Sequence, residues 1–122
     1  MFRGGVFTIY VSDMDRAVGF YVDTLGFKLN ERHGDNWASI DGGPGLAIGL
    51  HPATAEIPAG RQGSIAIGLF LEGAIGSAVA QLKARGVEFR TPIIEDVALT
   101  LAFFTDPDGT PLYLAEMKPA YR

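Results

Sequence analysis

Residues 6–27 read VFTIYVSDMDRAVGFYVDTLGF, and this stretch decides the fold. Val6–Val11 is a β-branched and aromatic run that suits a strand, and Ser12 and Asp13 stop it. Asp13 suits a helix N-cap, and Asp15 adds a favourable negative charge in the first turn. Val18, Tyr21, Val22 and Leu25 then recur at helical spacing, and Gly26 is placed to leave the helix through a left-handed residue.

Working outward, the same order returns. Phe27–Arg32, Trp37–Asp41 and Leu46–Leu50 read as strands separated by polar and glycine-rich turns. Ser64–Leu71 opens a second copy, followed by a helix carrying Ile75, Ala78, Val79 and Leu82 and ending before Gly86. Matching Val18 with Ile75 and Gly26 with Gly86 makes the second helix about one turn longer. Val87–Arg90 reads as a short strand, Thr91–Asp96 as an irregular connection, and Leu99–Thr105 and Leu112–Glu116 as strands around the turn Asp106-Pro107-Asp108-Gly109. The expected organisation is one domain over 1–122, with a first module at 4–51, a connection at 52–63 and a second module at 64–118. Neither copy is large enough to bury its apolar face well alone.

Composition narrows the function. The chain has 122 residues, 48% hydrophobic and 20% charged, and a formal net charge of -4. That balance reads as a folded protein and disfavours nucleic acid or an anionic membrane as partner, since no basic surplus meets phosphates. Cysteine is absent, which removes disulfides and thiolate chemistry. No apolar run approaches the roughly 20 residues of a membrane helix, and Met1-Phe2-Arg3 leads directly towards a strand. A cytoplasmic location is the expectation.

Val11-Ser12-Asp13, Ala17, Phe20-Tyr21 and Leu25-Gly26-Phe27 resemble the opening signature of the vicinal-oxygen-chelate superfamily. That superfamily groups glyoxalase I, bleomycin-resistance proteins, fosfomycin-resistance enzymes and extradiol dioxygenases. Ala84-Arg85-Gly86-Val87 and Phe104 with Asp106-Pro107-Asp108-Gly109 extend the likeness through the second copy. The resemblance implies an α+β fold in which two β-α-β-β-β modules form an open U-shaped barrel around a cleft. It also implies pairing as a homodimer.

Metal-dependent members place His, Gln or Glu on four strands, and the resemblance puts those positions at Val6, Ala47, Ser64 and Tyr113. Valine and alanine offer no donor, a neutral serine is weak, and tyrosine gives up its proton reluctantly. The expectation is therefore no metal and no cofactor.

Strand alternation gives the expected cleft face. It selects Tyr10, His51, Ser64, Phe70 and Tyr113. Matching Asp41 with Asp106 pairs Trp37 with Ala102 and Ser39 with Phe104, which adds Trp37, Ser39 and Phe104. Such a surface suits a planar or partly apolar organic ligand, with Trp37 offering a stacking face and an indole N–H. His33 is expected to be solvated near a turn, and Asp41 and Asp106 to bond nearby backbone. The leading expectation is a non-metal, drug-sequestering type of small-molecule binding protein. The alternative is a glyoxalase-like lyase or isomerase with unusual site residues, for which Tyr10, His51, Tyr113 and Glu56 are the groups to test.

Overall fold

The computed structural model describes residues 1, 5–55, 57–60 and 65–121. The chain divides into two compact units, Met1–Arg61 and Gln62–Arg122. In the first, β1 (Phe7–Val11) leads into α1 (Met14–Val18), which continues as a π-helical segment over Gly19–Thr24, and β2 (Lys28–His33), β3 (Trp37–Asp41) and β4 (Ala47–Pro52) follow. In the second, β5 (Ile67–Phe70) leads into α2 (Ile75–Ala84), then β6 (Ile94–Glu95), β7 (Leu99–Thr105) and β8 (Pro111–Met117). Each unit is thus one β-α-β-β-β module.

The first sheet has the order β1-β4-β3-β2 and the second β5-β8-β7-β6. In each, the first strand lies parallel to the last, and the remaining pairs are antiparallel. The expected open U-shaped barrel is not what forms. The ladders make two separate four-stranded sheets, neither closed, with edges at β1 and β2 in one and at β5 and β6 in the other. The reason lies in the pairing: each module's last strand takes up both its first strand and its third, so the ladder is completed inside the module.

In the first unit α1 packs on β4, over a core of Ile9, Val11, Met14, Ala17, Tyr21, Ala38, Ile40, Ile48 and Leu50. In the second, α2 packs on β7 and β8, and Ile67, Ile75, Val79, Leu82, Ala102, Phe104, Leu112 and Leu114 are buried. Burying the Val, Ile, Leu, Met and Phe side chains among them stabilises by about 1.5–3 kcal/mol each.

The helix starts differ in their caps. Asp13 accepts from the Arg16 amide at 3.0 Å, as its position in the sequence suggested. Ala74 at the start of α2 has no capping side chain, and Glu116 of β8 reaches across to accept from the Ile75 amide at 3.0 Å instead. Both helices leave through a left-handed glycine, Gly26 at φ 82° and Gly86 at φ 93°.

The expected apolar stripe of the first helix is met only in part: Tyr21 is buried, but the face it belongs to runs through Met14 and Ala17 at i, i+3 and i+7 spacing. Met14, Ala17 and Tyr21 are the buried positions rather than Val18, Val22 and Leu25. The exit bond shows the difference. Val87 N donates to Leu82 O, five residues back, whereas Phe27 N donates to Tyr21 O, six back. The first helical stretch, 14–24, is therefore one residue longer than α2, not a turn shorter as matching Val18 with Ile75 implied.

Val87–Arg90 contributes only a single bridge, Phe89 to Phe104, and the short strand β6 lies instead at Ile94–Glu95, within the stretch read as irregular. Pro92 lacks an amide donor, so a ladder cannot run continuously through it.

Candidate functional site

Each sheet has one face under its helix and one open face. On the first sheet, Tyr10 pairs with His51 and Thr8 with Gly49 across β1 and β4. Ser39 pairs with Gly49 across β3 and β4, and Glu31 with Ser39 and His33 with Trp37 across β2 and β3. Because Ala38 stands opposite Leu50, the same register carries Trp37 to the level of His51. The open face thus has an aromatic row, Tyr10, His51, Trp37 and His33, beside a small polar row, Thr8, Gly49, Ser39 and Glu31.

Trp37 lies over Gly49. A Cβ at Gly49 would come within 2.9 Å of Cζ2 and Cζ3 of the indole and closer still to Cη2, so only glycine leaves the ring room. The Tyr10 and His51 rings sit 5.2 Å apart at 53°, within the range of favourable aromatic contact. His51 is half-buried, with Nδ1 2.8 Å from the Pro52 carbonyl oxygen. His33 is exposed and lies 3.4 Å from Glu31.

The open face of the second sheet repeats the device in apolar form. Gly68, Tyr113 and Phe103 make one row, and Phe70, Ala115, Leu101 and Ile94 the next. Tyr113 covers Gly68 so closely that a Cβ there would meet its Cε2 at 2.8 Å. Phe103 and Tyr113 are 5.5 Å apart, and Phe70 is 72% exposed.

Of the expected site residues, Tyr10, Trp37, Ser39 and His51 share the open face of the first sheet, and Phe70 and Tyr113 that of the second. Phe104 does not belong with them: it is 0% exposed, pairs with Leu112 and packs in the core. The error is a slip of one residue. Asp41 is the last residue of β3 and pairs with Ala47, as Thr105 pairs with Pro111, so Asp41 matches Thr105 and Gly42 matches Asp106. The loop bonds agree, since Gly42 N donates to Leu46 O and Asp106 N to Thr110 O. A slip of one exchanges the faces of a strand, which puts Ala102 in the core too and makes Phe103 the open-face aromatic. Aligning the two loops, 42–46 and 106–110, rather than their acidic residues would have found it. Ser64 and Glu56 lie outside the described residues.

The acidic groups at the turns hold backbone. Asp41 accepts from the Gly43 amide at 2.9 Å, and the buried Asp106 accepts from the amides of Asp108 at 3.0 Å and Thr110 at 2.8 Å. Arg32, on the helix side of β2, bonds Asp15 at 2.6 Å and Asp35 at 3.2 Å. The hydrogen bond that Arg32 donates to Asp15 is the main influence holding its guanidinium above the ordinary range, so this cation is already engaged. Two depressions of about 310 and 340 Å³ lie in the first unit, one at Asn30, Asp41 and Leu46 and one at Ser12, Asp13 and Asp35; neither takes in the aromatic row.

A divalent metal does not suit the residues present. Val6 and Ala47 carry no donor, and by register the counterpart of Tyr113 is Gly49, which carries none either. Among the described residues, no three His, Asp or Glu side chains gather where they could hold an ion. No chemical step is therefore drawn through a metal.

The β-α-β-β-β repeat and its open aromatic faces define the class of protein. The chain belongs to the glyoxalase/bleomycin resistance protein/dioxygenase superfamily, whose model matches residues 5–114. Among solved structures it is similar to TnmS3, an antibiotic binding protein from Streptomyces sp. CB03234, with 27% identity, a TM-score of 0.78 and coverage of 97% of this chain and 99% of that one. A glyoxalase/bleomycin resistance protein from the same organism shares 28% identity at a TM-score of 0.70, over 92% of this chain and 98% of that one. A superfamily member from Sphaerobacter thermophilus shares 30% identity at a TM-score of 0.71, over 93% and 98%. The search of curated proteins gave no match. No helix among the described residues is long and apolar enough to cross a membrane.

Proposed function

We propose that this chain binds a planar, partly apolar small organic molecule of the antibiotic type, without a metal, on the open face of its first sheet. The observation that carries the reading is the placement of Trp37 over Gly49 beside the Tyr10–His51 pair. An aromatic row flanked by the hydroxyls of Thr8 and Ser39 offers a stacking surface and orienting polar groups, the usual composition of a small-molecule site. Phe70 and Tyr113 belong to the proposal as the matching aromatic surface of the second unit. The likeness to an antibiotic binding protein supports the ligand class, and the net charge of -4 favours a cationic ligand.

Trp37 is the single tryptophan, so intrinsic emission reports this face directly. Titration with a panel of cationic planar aromatic antibiotics is expected to change Trp37 emission saturably for at least one member. Calorimetry on Trp37→Ala should then show binding of that member weakened at least tenfold. An emission that no member changes would sink the proposal.

Pairing with a second copy belongs to the same reading, supported by the exposed apolar side chains Phe70 and Val97 of the second unit, 72% and 74% exposed. Sedimentation at micromolar concentration is expected to give twice the chain mass of 13.0 kDa. A monomer there would remove that part of the proposal.

A further inference from the structure

His51 carries a constraint that its neighbours lack. Its Nδ1 lies 2.8 Å from the carbonyl oxygen of Pro52. A carbonyl oxygen can only accept, so Nδ1 must carry the hydrogen. A neutral imidazole has one N–H, and the second nitrogen is then a bare acceptor. Nε2 has no protein partner among the described residues. The ring sits half-buried in the aromatic row, against Tyr10 and level with Trp37.

The geometry points to His51 as the specificity-determining residue of this face, selecting aromatic ligands that carry an O–H or N–H donor on the ring edge. The inference rests on the binding site proposed above and names the chemistry it prefers. A stacked ligand takes water away from Nε2. A ligand with a donor replaces that hydrogen bond, whereas one without leaves an acceptor unmet. The surrounding side chains do not supply the donor: among the described residues the Tyr10 hydroxyl makes no hydrogen bond to His51, and Thr8 and Ser39 stand in the next row. Of the charged groups on the open face, Glu31 lies near His33 at 3.4 Å, and Asp41 and Lys28 pair with each other two rows away. Trp37 can give its indole N–H to an acceptor elsewhere on the same ligand, so a ring bearing a donor on one edge and an acceptor on another fits best.

A matched pair of probes separates the effects: 2-naphthol has an O–H donor, and 2-methoxynaphthalene has the same ring without one. Calorimetric titration at pH 8.5 is expected to show 2-naphthol binding about tenfold tighter to the unaltered protein, and both probes binding alike to His51→Phe. Long-range 1H–15N spectra of the unaltered protein should show His51 with hydrogen on Nδ1 and none on Nε2, a readout that does not need the variant to fold. If both probes bind with equal affinity and perturb the Trp37 indole resonance, the site stands and the role of His51 is overturned. A hydrogen found on Nε2 overturns it as well. If neither probe binds nor perturbs Trp37, the binding face itself is wrong, and this inference falls with it.

Discussion

Replacing Gly49 with alanine should destabilise the first unit through one neighbour. The new Cβ would fall within 2.9 Å of two indole carbons of Trp37 and nearer still to a third, so the ring must tilt or leave the sheet. Gly49 is not among the positive-φ glycines, so alanine meets no backbone strain there. Forcing a methyl into such a contact costs about 1–3 kcal/mol, partly offset by the roughly 0.4–1 kcal/mol that alanine gains over glycine through the unfolded chain. A net loss of about 1–2 kcal/mol is expected. With Trp37→Ala already present the clash has no partner, and Gly49→Ala should then be neutral or stabilising by about 0.5 kcal/mol. Urea unfolding followed by far-UV circular dichroism serves all four corners of this cycle, including those that lack the tryptophan. If the two substitutions add within about 0.5 kcal/mol, the ring does not lie over Gly49 and the description of this face is wrong.

Three further outcomes follow from contacts elsewhere. Phe104→Ala should cost about 3–5 kcal/mol as a core deletion, while Phe103→Ala, on the open face, should cost clearly less in the same urea experiment; the reverse order would restore the face first expected from the sequence. Asp106→Ala should cost about 1–3 kcal/mol, since two amides lose a buried carboxylate, and Asp41→Ala less than about 1 kcal/mol, its one amide being exposed. Glu116→Ala should cost about 1 kcal/mol by uncapping α2, and Glu116→Gln, which keeps an acceptor, should recover part of it. Equal losses for alanine and glutamine would show that the cap is not made.

Much of the fold was legible because its signals are local. The Asp13 cap, the glycines at 26 and 86 and the alternation of Ile48 and Leu50 each reflect a backbone requirement met by a few neighbouring residues. Family membership was legible for the same reason, since its motifs are those caps and turns. What the sequence hid was phase. Both Asp41 and Asp106 read as turn residues, yet one ends a strand and the other sits inside a loop, and that single residue decided whether Phe103 or Phe104 faced the core. That the sheets stay separate instead of forming the expected barrel was hidden for another reason: sheet closure depends on which strands pair at the edges, and no local pattern states that. The overlap of Trp37 with Gly49 required a diagonal cross-strand neighbour, which appears only once the register is known.

The π-helical segment has a consequence for how the first unit bears a change in helix length. Gly19–Thr24 absorbs one extra residue between Tyr21, which keeps its place in the core, and Phe27, which opens the way to β2. The helix therefore works as a slack element that takes up a change in length without shifting the strands on either side. An insertion or deletion there should be tolerated where the same change in β3 would turn every side chain over.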